Sequence, residues 1–179
     1  MKNWQLFAIL IVLMLLLCSC SSTETEELPK TIRSTDNKVS VSVPQSWSVY
    51  EVELKDNLVL ALQDVESGAF AQIFWYPNVE GKEFTSKDYA GEAKNHYGDN
   101  VMGNAAKVEL ESGDKGYYFA YQKAQPDTGG NIFQGYEFFI DFAGGVAEID
   151  IFYQYTDTAP DNDALLMLQD VAKTIRVRA

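Results

Sequence analysis

The chain has 179 residues, 14 basic and 26 acidic, with a net charge of −12 when its one histidine is neutral. This excess of acid excludes a nucleic-acid partner, because phosphate binding needs a basic footprint, and it disfavours attraction to anionic lipid headgroups. With 46% hydrophobic and 22% charged residues, the chain has the composition and length of one globular domain with a real core.

The first element reads as a targeting segment. Lys2 supplies a positive head, and residues 6–17 form an unbroken apolar run. A membrane span needs roughly 20 such residues, whereas the apolar core of a secretory signal needs about 7–15. The run leads into Leu17-Cys18-Ser19-Cys20, which holds both cysteines of the chain. These four residues resemble a bacterial lipobox, with small Ser19 before Cys20 and bulky Leu17 before Cys18. The resemblance implies a lipoprotein signal peptide over 1–19 and a diacylglycerol on Cys20. The membrane is then a partner through that lipid, on the extracytoplasmic face. The alternatives are a Cys18–Cys20 disulfide, strained at that spacing, plain cleavage before Ser21, and an uncleaved anchor. Under the lipobox reading no free thiol remains, so cysteine nucleophiles and cysteine-held metals are excluded. Residues 20–35 read as a flexible tether; the stretch from Ser21 to Ser34 would reach roughly 45 Å fully extended.

The domain, residues 36–179, opens with period-two patterning. Val39, Val41 and Val43 alternate with Ser40 and Ser42, which predicts a strand with one buried face that stops at Pro44. "SWSVYEVEL" predicts a second strand with Tyr50, Val52 and Leu54 on one side. After a turn at Lys55-Asp56-Asn57, "LVLALQD" points Leu58, Leu60 and Leu62 inward, and Ser67-Gly68 turns into "AFAQIFWY". Thr85 and Asp88 have capping-box spacing, so a helix over "SKDYAGEAKNHY" is expected, stopping at Gly98. Four strands follow, near 106–112, 116–122, 132–142 and 146–155, with turns at "SGDKG", "PDTGGN" and "AGG". A last helix starts after Pro160, capped by Asp161 or Asn162. Its apolar set is Leu165, Leu168, Val171, Ala172 and Ile175. Four strands, a helix, four strands and a helix predict an α+β fold: a mainly antiparallel β-sheet with helices packed on its faces. The aromatics crowding the later strands read as core and cross-strand ladders, with an aromatic-lined ligand groove as the alternative.

"VSVPQSWSVYE" resembles the opening of PsbP-like domains: a short strand, Pro44, two residues, then Trp47 at a corner. The hairpin "FQGYEFFIDFAGGVAEIDIFY" and a final helix ending in "AKTIRVR" resemble the close of such domains. The resemblance implies a PsbP/Mog-like α/β/α sandwich. It also implies a non-catalytic role, docking to or assembling other proteins. A cell-envelope protein partner is therefore expected.

Catalytic signals are sparse. Any triad would have to use His96, the single histidine, which lies on a polar helix end and reads as a solvated residue. There is no HExxH, P-loop or GxGxxG, and no enzyme or cofactor is predicted. "DTAPDND" brings Asp157, Asp161 and Asp163 together but lacks the glycine and glutamate of an EF-hand; helix capping by Asp161 accounts for it better. In the long hairpin, a Gly144-Gly145 turn would pair Phe142 with Ala147 and set Asp141 opposite Glu148. Glu137, Asp141, Glu148 and Asp150 would then form one exposed acidic face. That face either keeps the domain soluble or serves a basic partner or a divalent cation, with Asp141 and Glu148 as the metal candidates. The two functions in view are a membrane-anchored interaction or assembly module and a small-ligand or divalent-cation-binding lipoprotein.

The lipobox reading makes a direct prediction. Fatty-acid labelling of cells should survive Cys18→Ala and disappear in Cys20→Ala; label retained without Cys20 would refute the assignment.

Overall fold

The computed structural model describes residues 29–52, 57–79, 84–125 and 130–178. The signal segment, Cys18 and Cys20, the tether up to residue 28, Leu54, Lys55-Asp56 and most of the "PDTGGN" turn lie outside the described residues.

Five strands precede the first helix: β1 (Lys30–Arg33), β2 (Val39–Val43), β3 (Ser48–Val49), β4 (Leu58–Asp64) and β5 (Ala69–Pro77). Then come α1 (Ser86–Tyr97), a 3₁₀ turn (Gly98–Asn100), β6 (Val101–Glu109), β7 (Lys115–Gln125), β8 (Asn131–Phe142) and β9 (Gly145–Tyr155). The described chain closes with α2 (Asn162–Lys173) and β10 (Arg176–Val177). The large sheet has seven strands in the order β3-β4-β5-β9-β8-β7-β6, all antiparallel. A small sheet, β1-β2-β10, lies beside it. The antiparallel α+β expectation therefore holds.

Local chemistry explains most element ends. Asn37, at φ 58°, takes the left-handed conformation in the β1–β2 turn, where its N–H bonds the Ser34 carbonyl. Thr85 caps α1 through the full capping box with Asp88, and Gly98 ends it. Asp161 caps α2 by accepting from the Ala164 N–H at 2.8 Å.

The sheet separates two apolar clusters. On one face, β2, α2 and the Trp47 corner close over Leu60, Leu62, Ile73, Phe138, Ile140, Ile149 and Ile151. On the other, α1 lies over Phe119, Tyr121, Phe139, Val146 and Phe152. The aromatics are thus largely core. Tyr118 stacks on Phe138 at 5.1 Å, and Tyr97 meets Phe119 edge-on at 5.6 Å.

Several expectations need correction. Lys30–Arg33, read as tether, form β1 and pair with β2. The second strand is only Ser48–Val49, and Tyr50 is exposed. A bulge between Leu58 and Leu60 turns Val59, not Leu58, toward the core. A short β10 follows α2 and pairs with β2.

The hairpin register also differs. Phe142 pairs with Gly145, Ile140 with Ala147, and Asp141 with Val146, so the turn is Ala143-Gly144. Gly144 takes the positive φ of 91°. Gly145 is required for another reason: a Cβ there would lie 2.3 Å from the Tyr76 carbonyl oxygen on the neighbouring strand. The slip is two residues, so each side chain keeps its face.

Trp47 is 0% exposed. Its N–H bonds the Pro44 carbonyl at 3.2 Å, closing the Pro-x-x-Trp corner as a turn. The indole Nε1 has no hydrogen-bond partner, so apolar packing holds the ring. Trp47→Ala should cost about 3–5 kcal/mol in denaturant unfolding, with Trp47→Phe costing less; wild-type melting of Trp47→Ala would contradict the corner.

Candidate functional site

The β8–β9 hairpin alternates apolar and acidic residues, and its acidic side is covered by α1. This overturns the exposed acidic face. Glu137 is only 4% exposed, Glu148 and Asp150 are half-buried, and Asp141 alone remains exposed. Glu137 pairs across the strands with Asp150, while Glu148 pairs with Phe139.

Each carboxylate has its own neighbours. Asp141 accepts from the Ser86 N–H at 2.7 Å and the Ser86 hydroxyl at 2.5 Å. A carboxylate at the first residue of a helix complements its dipole, so Asp141 pins α1 to the sheet rather than repelling Glu148. Tyr76 donates its hydroxyl proton to Glu148 Oε2 at 2.8 Å, and Tyr121 donates to Asp150 Oδ1 at 2.6 Å. The Tyr97 ring, on α1, lies 4.7 Å from that of Tyr121. Lys123 Nζ sits 5.8 Å from the Tyr97 ring centre. Glu137 Oε2 is buried without a conventional hydrogen-bond partner.

Burial dominates the electrostatics. It pushes the Glu137 carboxyl up to about 9, helped by the charges of Asp150 and Glu148, while Tyr97 opposes the shift. Burial raises Asp150 to about 7, against the Tyr121 hydrogen bond. Burial raises Glu148 too, while hydrogen bonds from Tyr76 and Glu137 draw it down. Burial therefore favours the protonated form of Glu137. Burial and the nearby carboxylates raise Tyr76, Tyr97 and Tyr121 well above the ordinary phenol range.

The metal candidates do not converge, since Asp141 is engaged by Ser86 and Glu148 by Tyr76. Among the described residues no group of three or more His, Cys, Asp or Glu side chains is placed to hold a metal ion. His96 stands exposed near the end of α1, edge-on to Tyr97. The tyrosines of this cluster were not legible as its members, because Tyr76 and Tyr121 read as aromatics of their own strands and Tyr97 as the end of a polar helix.

A second feature lies on the opposite face. A groove of about 570 Å³ runs between α2 and β2, with Val43, Pro44, Leu166, Met167 and Val171 among its apolar lining. Glu111, Asp163 and Asp170 stand on its rim, and among the described residues no basic side chain lines it. Pro29, the first described residue, borders it. Leu166 is 53% exposed. One sequence signal pointed here: Leu166 is a large apolar residue off the core stripe of α2.

With this geometry established, the comparisons decide the fold. Cyanobacterial PsbP (CyanoP) from Synechocystis sp. PCC 6803 superposes with a TM-score of 0.57 at 12% identity, over 89% of this chain and 98% of that one. The chain has the PsbP/Mog1-like fold. A point mutant of the protein Mog1 matches with a TM-score of 0.55 at 12% identity, over 83% of this chain and 95% of its own. A protein from Bacteroides thetaiotaomicron VPI-5482 matches at 0.52 and 13% identity, over 84% of this chain but 48% of that longer one. No protein-family model matches the sequence, and no curated protein matches it. At such identities the likeness is one of fold.

The buried acids set a pH dependence. Their folded values lie above the unfolded ones, so the folded chain holds protons that the unfolded chain releases. Stability is then greatest below the ordinary carboxyl range near 4 and falls as pH rises toward about 9, where Glu137 has titrated. Each proton involved is worth about 1.4 kcal/mol per pH unit. Melting temperature should fall steadily from pH 5 to pH 9. Glu137→Gln, which mimics the protonated acid, should match wild type at pH 5 and exceed it at pH 9. A melting temperature that rises with pH in this range would contradict the burial of these acids.

Proposed function

We propose that this protein is a lipid-anchored, non-catalytic interaction module of the bacterial cell envelope. Its domain docks a cationic, partly apolar segment of an envelope protein into the groove beside α2. The observation that carries this reading is the groove itself, with an apolar floor, an all-acidic charged rim and exposed Leu166. Such a lining suits a segment with one or two apolar anchors flanked by Lys or Arg. Glu111 and Asp163 form none of the described salt bridges, while Asp170 is paired with Lys173 at 3.1 Å.

Placement supports the same reading. With a lipid on Cys20, eight residues lie between the anchor and Pro29 at the groove, a span of roughly 30 Å when extended. The groove would then work close to the membrane surface. Its acidic rim is repelled by anionic headgroups, so a protein segment suits it better than lipid. A second reading, small-ligand binding, draws on the volume of about 570 Å³, which is that of a small-molecule site.

Cross-linking from a photoreactive group at Leu166, in membranes of cells expressing the full chain, tests the docking. A discrete adduct is expected, reduced at least tenfold by Asp163→Lys with Glu111→Lys and weakened by raised salt. An adduct indifferent to both charge reversals and to salt would refute the cationic partner. Mass spectrometry of the purified protein would reveal a co-purifying small molecule if the second reading is right.

A further inference from the structure

The acid cluster under α1 lies on the face opposite the groove and is independent of the docking reading. Helix α1 is a light cover. Only Ser86 and Ala90 of its twelve residues are buried, and Gly91 interrupts its middle. Its start is tied to β8 through Ser86 and Asp141, and its end rests on β7 through the ring of Tyr97, which meets Phe119 and Tyr121. Between them Glu137 Oε2 is closed off from solvent with no conventional partner. A carboxyl group there is stable as a neutral acid. As an ion it would need water or a cation. The other neighbours of Glu137 are strands held by ladders on both sides, so α1 is the element with the least to lose by moving.

We propose that α1 is a pH-gated lid, seated while the buried Glu137 carboxyl holds a proton and lifted when that proton leaves. All elements around Glu137 contribute titratable or charged groups. Tyr76 comes from β5, Tyr121 and Lys123 from β7, Glu148 and Asp150 from β9, and Tyr89 and Tyr97 from α1. The tyrosines stay neutral across the working range because burial raises each of them. Lys123 is the one cation among these groups and opposes the upward shift that burial gives Asp150. Lifting α1 hydrates the three acids and exposes Phe119, Tyr121 and Phe139 beneath it. The lid therefore couples pH to the presentation of an aromatic and acidic surface.

Hydrogen exchange of the full chain, read by mass spectrometry at several pH values and corrected for intrinsic amide rates, tests the lid. Amides of residues 86–97 should open more often than those of 162–173. Their opening constant should rise close to tenfold per pH unit between pH 6 and pH 9, the dependence of a step that releases one proton. Glu137→Gln should abolish that slope. Equal opening of the two helices, a pH-independent α1, or a slope that persists in Glu137→Gln would each overturn the proposal. Should the variant not fold, carboxyl carbon-13 shifts of the wild-type chain serve instead. Glu137 must titrate over the pH range in which α1 opens, and titration near the ordinary carboxylate value would refute the gate.

Discussion

The pairing of β8 with β9 sets Phe138, Ile140, Ile149 and Ile151 on one side of the sheet and places Glu137 beside Asp150 on the other, with Phe139 and Phe152. The rest of the domain answers this division. The apolar side draws the apolar stripe of α2, the valines of β2 and the ring of Trp47. Burial of that much hydrocarbon supplies the main drive to fold. The acidic side cannot be closed in the same way, because a buried carboxylate needs a proton or a partner.

The two helices differ accordingly. In α2 Leu168, Val171 and Ala172 are buried, so it belongs to the core. In α1 only a serine and an alanine are buried, and its hold rests on Asp141 at one end and on tyrosine contacts elsewhere. Tyr76 and Tyr121 each present a ring to the α1 side of the sheet and a hydroxyl to an acid. Tyrosine is suited to this boundary because one end is apolar and the other bonds. The domain thus has one hydrocarbon core and one mixed layer whose stability depends on protons.

The two faces also separate two proposed roles. The groove beside α2 is bounded by the rigid core layer and opens beside Pro29. A binding surface on rigid elements keeps its shape and loses little entropy on docking. The α1 layer is the weaker one, where a change of conformation costs least. Neither role comes from the fold alone, since a shared fold at such low identity carries architecture and not activity.

Adjacent residues decide the local elements. Capping boxes, valine–serine alternation and the Pro44–Trp47 corner each act within a few residues, so their chemistry is written in neighbouring letters. The faces of β8 and β9 were legible for the same reason, and they survived an incorrect turn because a slip of two residues preserves the pleat. What the letters could not show were the long-range choices. Gly145 looked like half of a turn, but its lack of a side chain is required by the backbone of Tyr76, a strand far away in sequence. The acidic residues looked like a solvated face because a strand pattern reports which side is polar and not which element will cover it. Long-range packing placed α1 over them, and the contact that holds its start joins Ser86 to Asp141 across 55 residues. Burial, and with it the protonation of Glu137, is a property of that assembly rather than of any segment.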